Sequence, residues 1–194
     1  MTDEIPITRV PRDEIFLYFA LHEIAGALQA LDDVERLANL REVLAPGVER
    51  RELGNIIAAV RYALHLSGSA SRIFWPPRAK ERGERLRALI GLPKDHGLGS
   101  RRLRDHIEHL DERLDNWTKD SPRPFTWVYT VMHEGFHPIT RKSLLASTLM
   151  QYDVESNAFA VLGDEFSLGE LRRNLEEVRD LISVAFQPSH PPAG

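Results

Sequence analysis

The chain contains no cysteine. Disulfides, thiolate-bound metals and a cysteine nucleophile are therefore excluded. A cysteine-free chain suits a reducing compartment, and a cytoplasmic protein is expected. A Gly-rich phosphate loop is missing too: the GLGS of Gly97–Ser100 has neither the lysine nor the preceding strand of a P-loop. The G-x-S-x-G elbow of serine hydrolases does not occur, and no internal repeat is visible. No apolar run approaches membrane-spanning length, and the acidic opening MTDEIPITR lacks the charge pattern of a signal peptide, so no membrane association is expected. With 194 residues, the chain predicts one domain that buries a core without covalent or metal staples.

Charge is present but unevenly spread. Between Arg72 and Arg104 there are ten Lys/Arg against three Asp/Glu, a local charge of +7. Because the whole chain has a net charge of −4, the remainder carries −11. Such a basic middle either attracts an anionic polymer or forms an ordinary solvated face.

Periodicity reads as mainly α. Pro11-Arg12-Asp13 opens a long helix with Ile15, Phe19, Ile24, Leu28, Leu31 and Val34 on its apolar side, and a break is expected near Asp32. A second helix runs from about Glu49 to Leu66, with Ser67-Gly68-Ser69 as its end or kink and Trp75-Pro76-Pro77 as a firm stop. A short basic helix over 79–90 and a Gly-rich loop to Ser100 follow. Residues 101–117 read as one helix with Leu103, Ile107, Leu110, Leu114 and Trp117 on the inner stripe. Strand-like runs occupy Thr126–Val131, Ala146–Tyr152 and Ala158–Leu162, the last two joined by turn chemistry at Asp153–Asn157. Ser167-Leu-Gly-Glu170 is a capping box that launches a final helix. The expected architecture is a helical bundle over 1–120, then a small antiparallel β-sheet or hairpin and a C-terminal helix packed on the bundle over 121–187. A disordered proline-rich tail over 188–194 completes it.

Chemistry concentrates in the helix over 101–117. Arg104 and His109 have the spacing R-x4-H, and Asp105 lies four residues before His109, where it can orient the imidazole. A ribonuclease that uses no metal needs a base for the 2′-hydroxyl proton and a cation for the charge developing on phosphate; histidine and arginine supply both. Five residues of ideal helix turn by about 500°, so the two side chains point about 140° apart. They converge through the reach of arginine at a helix start, or across a dimer. The other reading is a surface helix with ordinary charged residues.

The stretch Arg104-Asp-His-Ile-Glu-His109 resembles the R-x4-H motif of the HEPN superfamily (higher eukaryote and prokaryote nucleotide-binding). Asp105 stands where that family often has asparagine. The resemblance implies a helical bundle, a metal-independent endoribonuclease of toxin or defence type, no cofactor, RNA as substrate and a homodimer whose two motifs face each other. It assigns Arg104 and His109 to catalysis; the residues themselves add Asp105 as the group that orients His109, and Arg101, Arg102, His106 and Arg113 as attraction for RNA. The alternative class is a non-catalytic interaction module with a protein partner.

A zinc-dependent hydrolase is the third reading. His133-Glu-Gly-Phe-His137 is a literal H-E-x-x-H, which on a helix would bind zinc. Gly135, Pro138 and a strand-like lead-in oppose that helix, so no zinc is expected there. Asp153 and Glu155 are the nearest third-ligand candidates, and no spacing selects one. His106 and His109, with His22, Glu23 or His65, are a further metal set. Edge or core histidines with hydrogen-bond partners are the plainer expectation for His22 and His65. Trp75, Trp117 and Trp127 are read as anchors at element boundaries, with base stacking as the alternative.

Overall fold

A computed structural model describes residues 12–39, 50–100, 109–119, 127–132 and 147–186. Two long helices form its frame: α1 (Arg12–Ala38) and α2 (Arg50–Phe74). Leu17, Ala20, Ile24, Ala27, Leu31 and Val34 recur at steps of three and four along α1, and all are buried. Ile56, Ile57, Val60, Ala63, Leu64 and Phe74 face them from α2. The two helices approach closely at Gly26, where a Cβ would lie 2.8 Å from Leu66 Cδ1. α1 runs unbroken through Asp32, contrary to the expected break. α2 likewise continues through Ser67-Gly68-Ser69, because Ser67 Oγ donates back to the Ala63 carbonyl (2.7 Å) and the buried face carries on to Phe74.

The expectation of no span-length apolar run also needs correction. By length and hydropathy α1 is apolar enough to cross a bilayer. Its apolar face packs here against α2 and the C-terminal helix.

Pro76 and Pro77 end the second helix, and α3 (Lys80–Ile90) turns back beside it. Gly83 permits that crossing: a Cβ there would sit 2.5 Å from both the Phe74 carbonyl oxygen and Pro76 Cδ. Gly91, with φ 71°, closes α3 in the left-handed conformation that suits glycine. The loop to Ser100 contains one 3₁₀ turn, Gly97–Gly99. It is held by Ser71 Oγ donating to the Leu98 carbonyl (2.8 Å) and by Trp75 Nε1 donating to the Lys94 carbonyl (3.0 Å).

After α4 (Leu110–Lys119) come four strands: β1 (Trp127–Met132), β2 (Thr148–Asp153), β3 (Ala158–Val161) and β4 (Asp164–Ser167). The expected hairpin over 146–162 is present: β2 and β3 pair antiparallel, with Gln151 opposite Ala160. Asp153 Oδ1 accepts from the Glu155 and Ser156 amides in the turn, and Asn157 takes a positive φ of 47°. The sheet is mixed, however, because β1 pairs parallel with β2, Trp127 opposite Thr148. β4 was not expected. It joins β3 through a two-residue turn, Leu162 (φ 54°) and Gly163 (φ 88°), both in the left-handed region that a tight hairpin demands.

Ser167 then caps α5 (Leu168–Ala185) as the capping box predicts, its Oγ accepting from the Glu170 amide at 3.1 Å. Leu168, Leu171, Leu175, Val178 and Ile182 line the buried face of α5. Met150, Tyr152, Phe159 and Val161 from the sheet join the same core as the helices. Arg172 ties α5 to α1 by donating to Asp32 (2.8 Å) and Glu35 (3.2 Å). Burial opposes its charge, but the two carboxylates outweigh burial and hold its pKa above the ordinary value.

Candidate functional site around the R-x4-H helix

Of the segment expected as one helix over 101–117, the described part begins at His109, which is a turn residue. α4 begins directly after His109, whose carbonyl accepts from the Arg113 amide at 3.1 Å, so His109 already belongs to the helical hydrogen-bond ladder. The helix ends at Lys119, two residues beyond the expected Trp117. Arg101, Arg102, Arg104, Asp105 and His106 lie outside the described residues, as do Leu103 and Ile107 of the inner stripe.

The described half keeps the predicted sidedness. Leu110, Leu114 and Trp117 face inward and Asp111, Glu112, Asp115 and Asn116 face solvent. Leu110 packs against the main core. The stripe is nevertheless only half-buried, and no residue of α4 is fully enclosed. Leu110, Leu114 and Trp117, expected on the inner stripe, thus face inward without full burial, and the helix rests on the core surface.

His109 is exposed, with 58% of its side chain accessible, and its Nδ1 lies 3.9 Å from Glu112 Oε2. Glu112, three residues on, is a neighbour the motif reading overlooked; the i,i+3 relation was its only signal. Arg113 sits on the edge of the stripe and makes an ion pair to Asp164 at the start of β4, Nη2 to Oδ2 2.9 Å. Of the proposed site residues, the described region therefore contains a reachable imidazole and an arginine engaged with the sheet.

The other histidine candidates separate clearly. His22 and His65 are exposed on α1 and α2, rather than held at an edge or in the core as expected. Among the described residues, no three His, Asp or Glu side chains are placed to hold a metal. His133 and His137 lie outside the described residues, in the connection between the parallel strands β1 and β2. Asp153, considered as a third ligand, has its Oδ1 committed to the hairpin turn.

His96 was not singled out by the sequence. Its imidazole, 5% exposed, stacks near Trp75 (centroids 6.3 Å, 14°). Nδ1 accepts from the Leu98 amide at 3.2 Å. In the neutral ring Nε2 therefore carries the proton and donates to Glu177 at 3.3 Å. Only the tertiary fold brings Trp75, His96 and Glu177 together, so no local pattern announced them. Beside them Ser71, Leu98, Ser100, Glu165, Glu170 and Asn174 line a cleft of about 260 Å³. Ser100 immediately precedes the motif segment.

Trp75 is an anchor at the end of α2, as expected. Trp127 opens β1, while Trp117 lies within the last turn of α4. Compared with known proteins, the chain matches no family model, no curated protein and no solved structure.

Proposed function

We propose that this chain is a metal-independent endoribonuclease of the HEPN type, acting in the cytoplasm as a homodimer. His109 moves the proton of the attacking 2′-hydroxyl, Arg104 stabilises the charge on the phosphate and Asp105 orients the imidazole. Arg101, Arg102, His106 and Arg113 add attraction for the RNA backbone. The observation that supports this reading is the exposed imidazole of His109 at the head of a helix whose inner side rests on the core. A general base must be reachable by its substrate, and the exposure of His109 supports that role.

The test is cleavage of single-stranded RNA in excess chelator by the purified full chain. Products ending in a 2′,3′-cyclic phosphate are expected, with the rate falling by about 10²–10⁴ in His109→Ala. Activity abolished by chelator, or unchanged in His109→Ala, would overturn the assignment.

A second reading has its own observation. α4 presents only half-buried apolar residues and no fully buried one, which suits a helix completed by a protein partner. In that case the chain is a non-catalytic interaction module, and His109→Ala alters no RNA.

A further inference from the structure

The basic segment places its charges around one cleft. Arg12 and Phe16 of α1 face Arg78, Lys80, Arg82 and Arg85 at the start of α3, enclosing about 620 Å³. Glu81 is the one carboxylate among the described lining residues. Arg85 is neutralised, since it grips both oxygens of Asp13 at 2.8 Å and holds that carboxyl below its ordinary pKa. Arg82 forms no ion pair among the described residues. Its guanidinium lies over the Phe16 ring, 4.5 Å from the centroid, and Nη2 donates weakly to the Arg72 carbonyl at 3.5 Å. The Nε–H is buried without an acceptor among the described residues. Among the described residues this half-buried guanidinium has no carboxylate partner, so its charge is not offset there. Arg78 and Lys80 are exposed at the rim and form no ion pair among the described residues. The first turn of α3 opens into the same space, with Ala79 at its N-cap giving no side-chain hydrogen bond. Its free amides add positive potential to that of the side chains.

We infer that this cleft, which no described residue of α4 lines, is a binding site for phosphate groups, independent of the ribonuclease reading. Two arginines and a lysine around a helix start match the multiple oxygens of a phosphate or pyrophosphate. The phosphate arises either from a small phosphorylated molecule or from a nucleic-acid backbone.

Calorimetric titration of the full chain with pyrophosphate in low-salt buffer tests the site. Saturable binding is expected, weakened about tenfold or more in Arg78→Glu/Lys80→Glu. Arg61→Glu/Arg173→Glu changes the net charge equally at exposed positions on α2 and α5, outside the cleft lining. It should alter affinity less than about twofold, because a distant exposed charge is screened. No saturable binding, or equal weakening by both double variants, overturns the proposal. Displacement of bound pyrophosphate by oligouridylate identifies the backbone source, and its failure to displace identifies the small-molecule source; in both cases the Arg78/Lys80 dependence supports the site.

Discussion

Arg113 on α4 is fastened to Asp164 of β4 by a 2.9 Å ion pair, which joins the helix to the sheet. Both side chains are more than one-third exposed. The pair therefore contributes no more than about 1 kcal/mol to stability. Asp164→Asn should leave thermal unfolding nearly unchanged, and a destabilisation well above about 1 kcal/mol would contradict the exposed setting of the pair.

Gly83 has no room for a methyl group. Its neighbours are a backbone carbonyl and a proline ring, neither of which swings aside. Gly83→Ala is expected to destabilise by about 1–3 kcal/mol, despite the better helix propensity of alanine. Urea denaturation of the two proteins measures the difference, and an alanine variant as stable as the parent would contradict the packing.

Tyr152 is buried, with its hydroxyl donating to Asn157 Oδ1 at 3.1 Å. Burial, reinforced by Glu35 and Asp153, pushes its pKa up from 10.0 to about 12. A raised phenol pKa means the fold favours the neutral form. That stabilisation is complete below about pH 10 and is lost as pH rises toward 12. Absorbance titration near 295 nm should show a late-ionising component that Tyr152→Phe removes. The same variant should lose about 1 kcal/mol through the missing hydrogen bond.

Arg104→Lys separates charge from geometry. A lysine keeps the positive charge but cannot grip a phosphate with two parallel donors. RNA cleavage should fall between that of the parent and that of Arg104→Ala, which is expected to lose about 10²–10³ in rate. Equal activity in the lysine and alanine variants would remove the charge role from Arg104. Folding should be unaffected in both, because the sequence spacing places Arg104 off the apolar stripe expected for Leu103, Ile107 and Leu110.

Ser167→Ala tests the capping box. The Oγ–Glu170 amide bond satisfies one of the donors left open at the start of α5. Its loss should cost about 1 kcal/mol of unfolding free energy, whereas Ser167→Asp should retain the cap.

Local signals carried much of the fold. The three- and four-residue spacing of Leu168, Leu171, Leu175, Val178 and Ile182 specified the buried face of α5, and the Ser167 cap fixed where it begins. The β2–β3 hairpin was legible because strand propensity flanks a turn whose side chains bond their own backbone at Asp153. β4 escaped notice: Asp164-Glu165-Phe166-Ser167 is short and polar, and Leu162-Gly163 is a less familiar pair for a tight turn than Asn-Gly. The continuity of α1 through Asp32 and of α2 through Gly68 was also hidden locally. In each, buried residues on both sides of the weak point hold the helix together.

The sequence by itself determined the mainly helical class, the sidedness of α4 and the start of α5 at its Ser167 cap, because helical periodicity and capping act over a few residues. Tertiary structure alone decided that β1 runs parallel to β2, that Arg113 meets Asp164, that His96 lies between Trp75 and Glu177, and that Arg12 faces Arg78 and Arg82 across one cleft. Those relationships join residues tens of positions apart. They depend on how whole elements pack, and no local pattern of apolar and charged residues encodes that geometry.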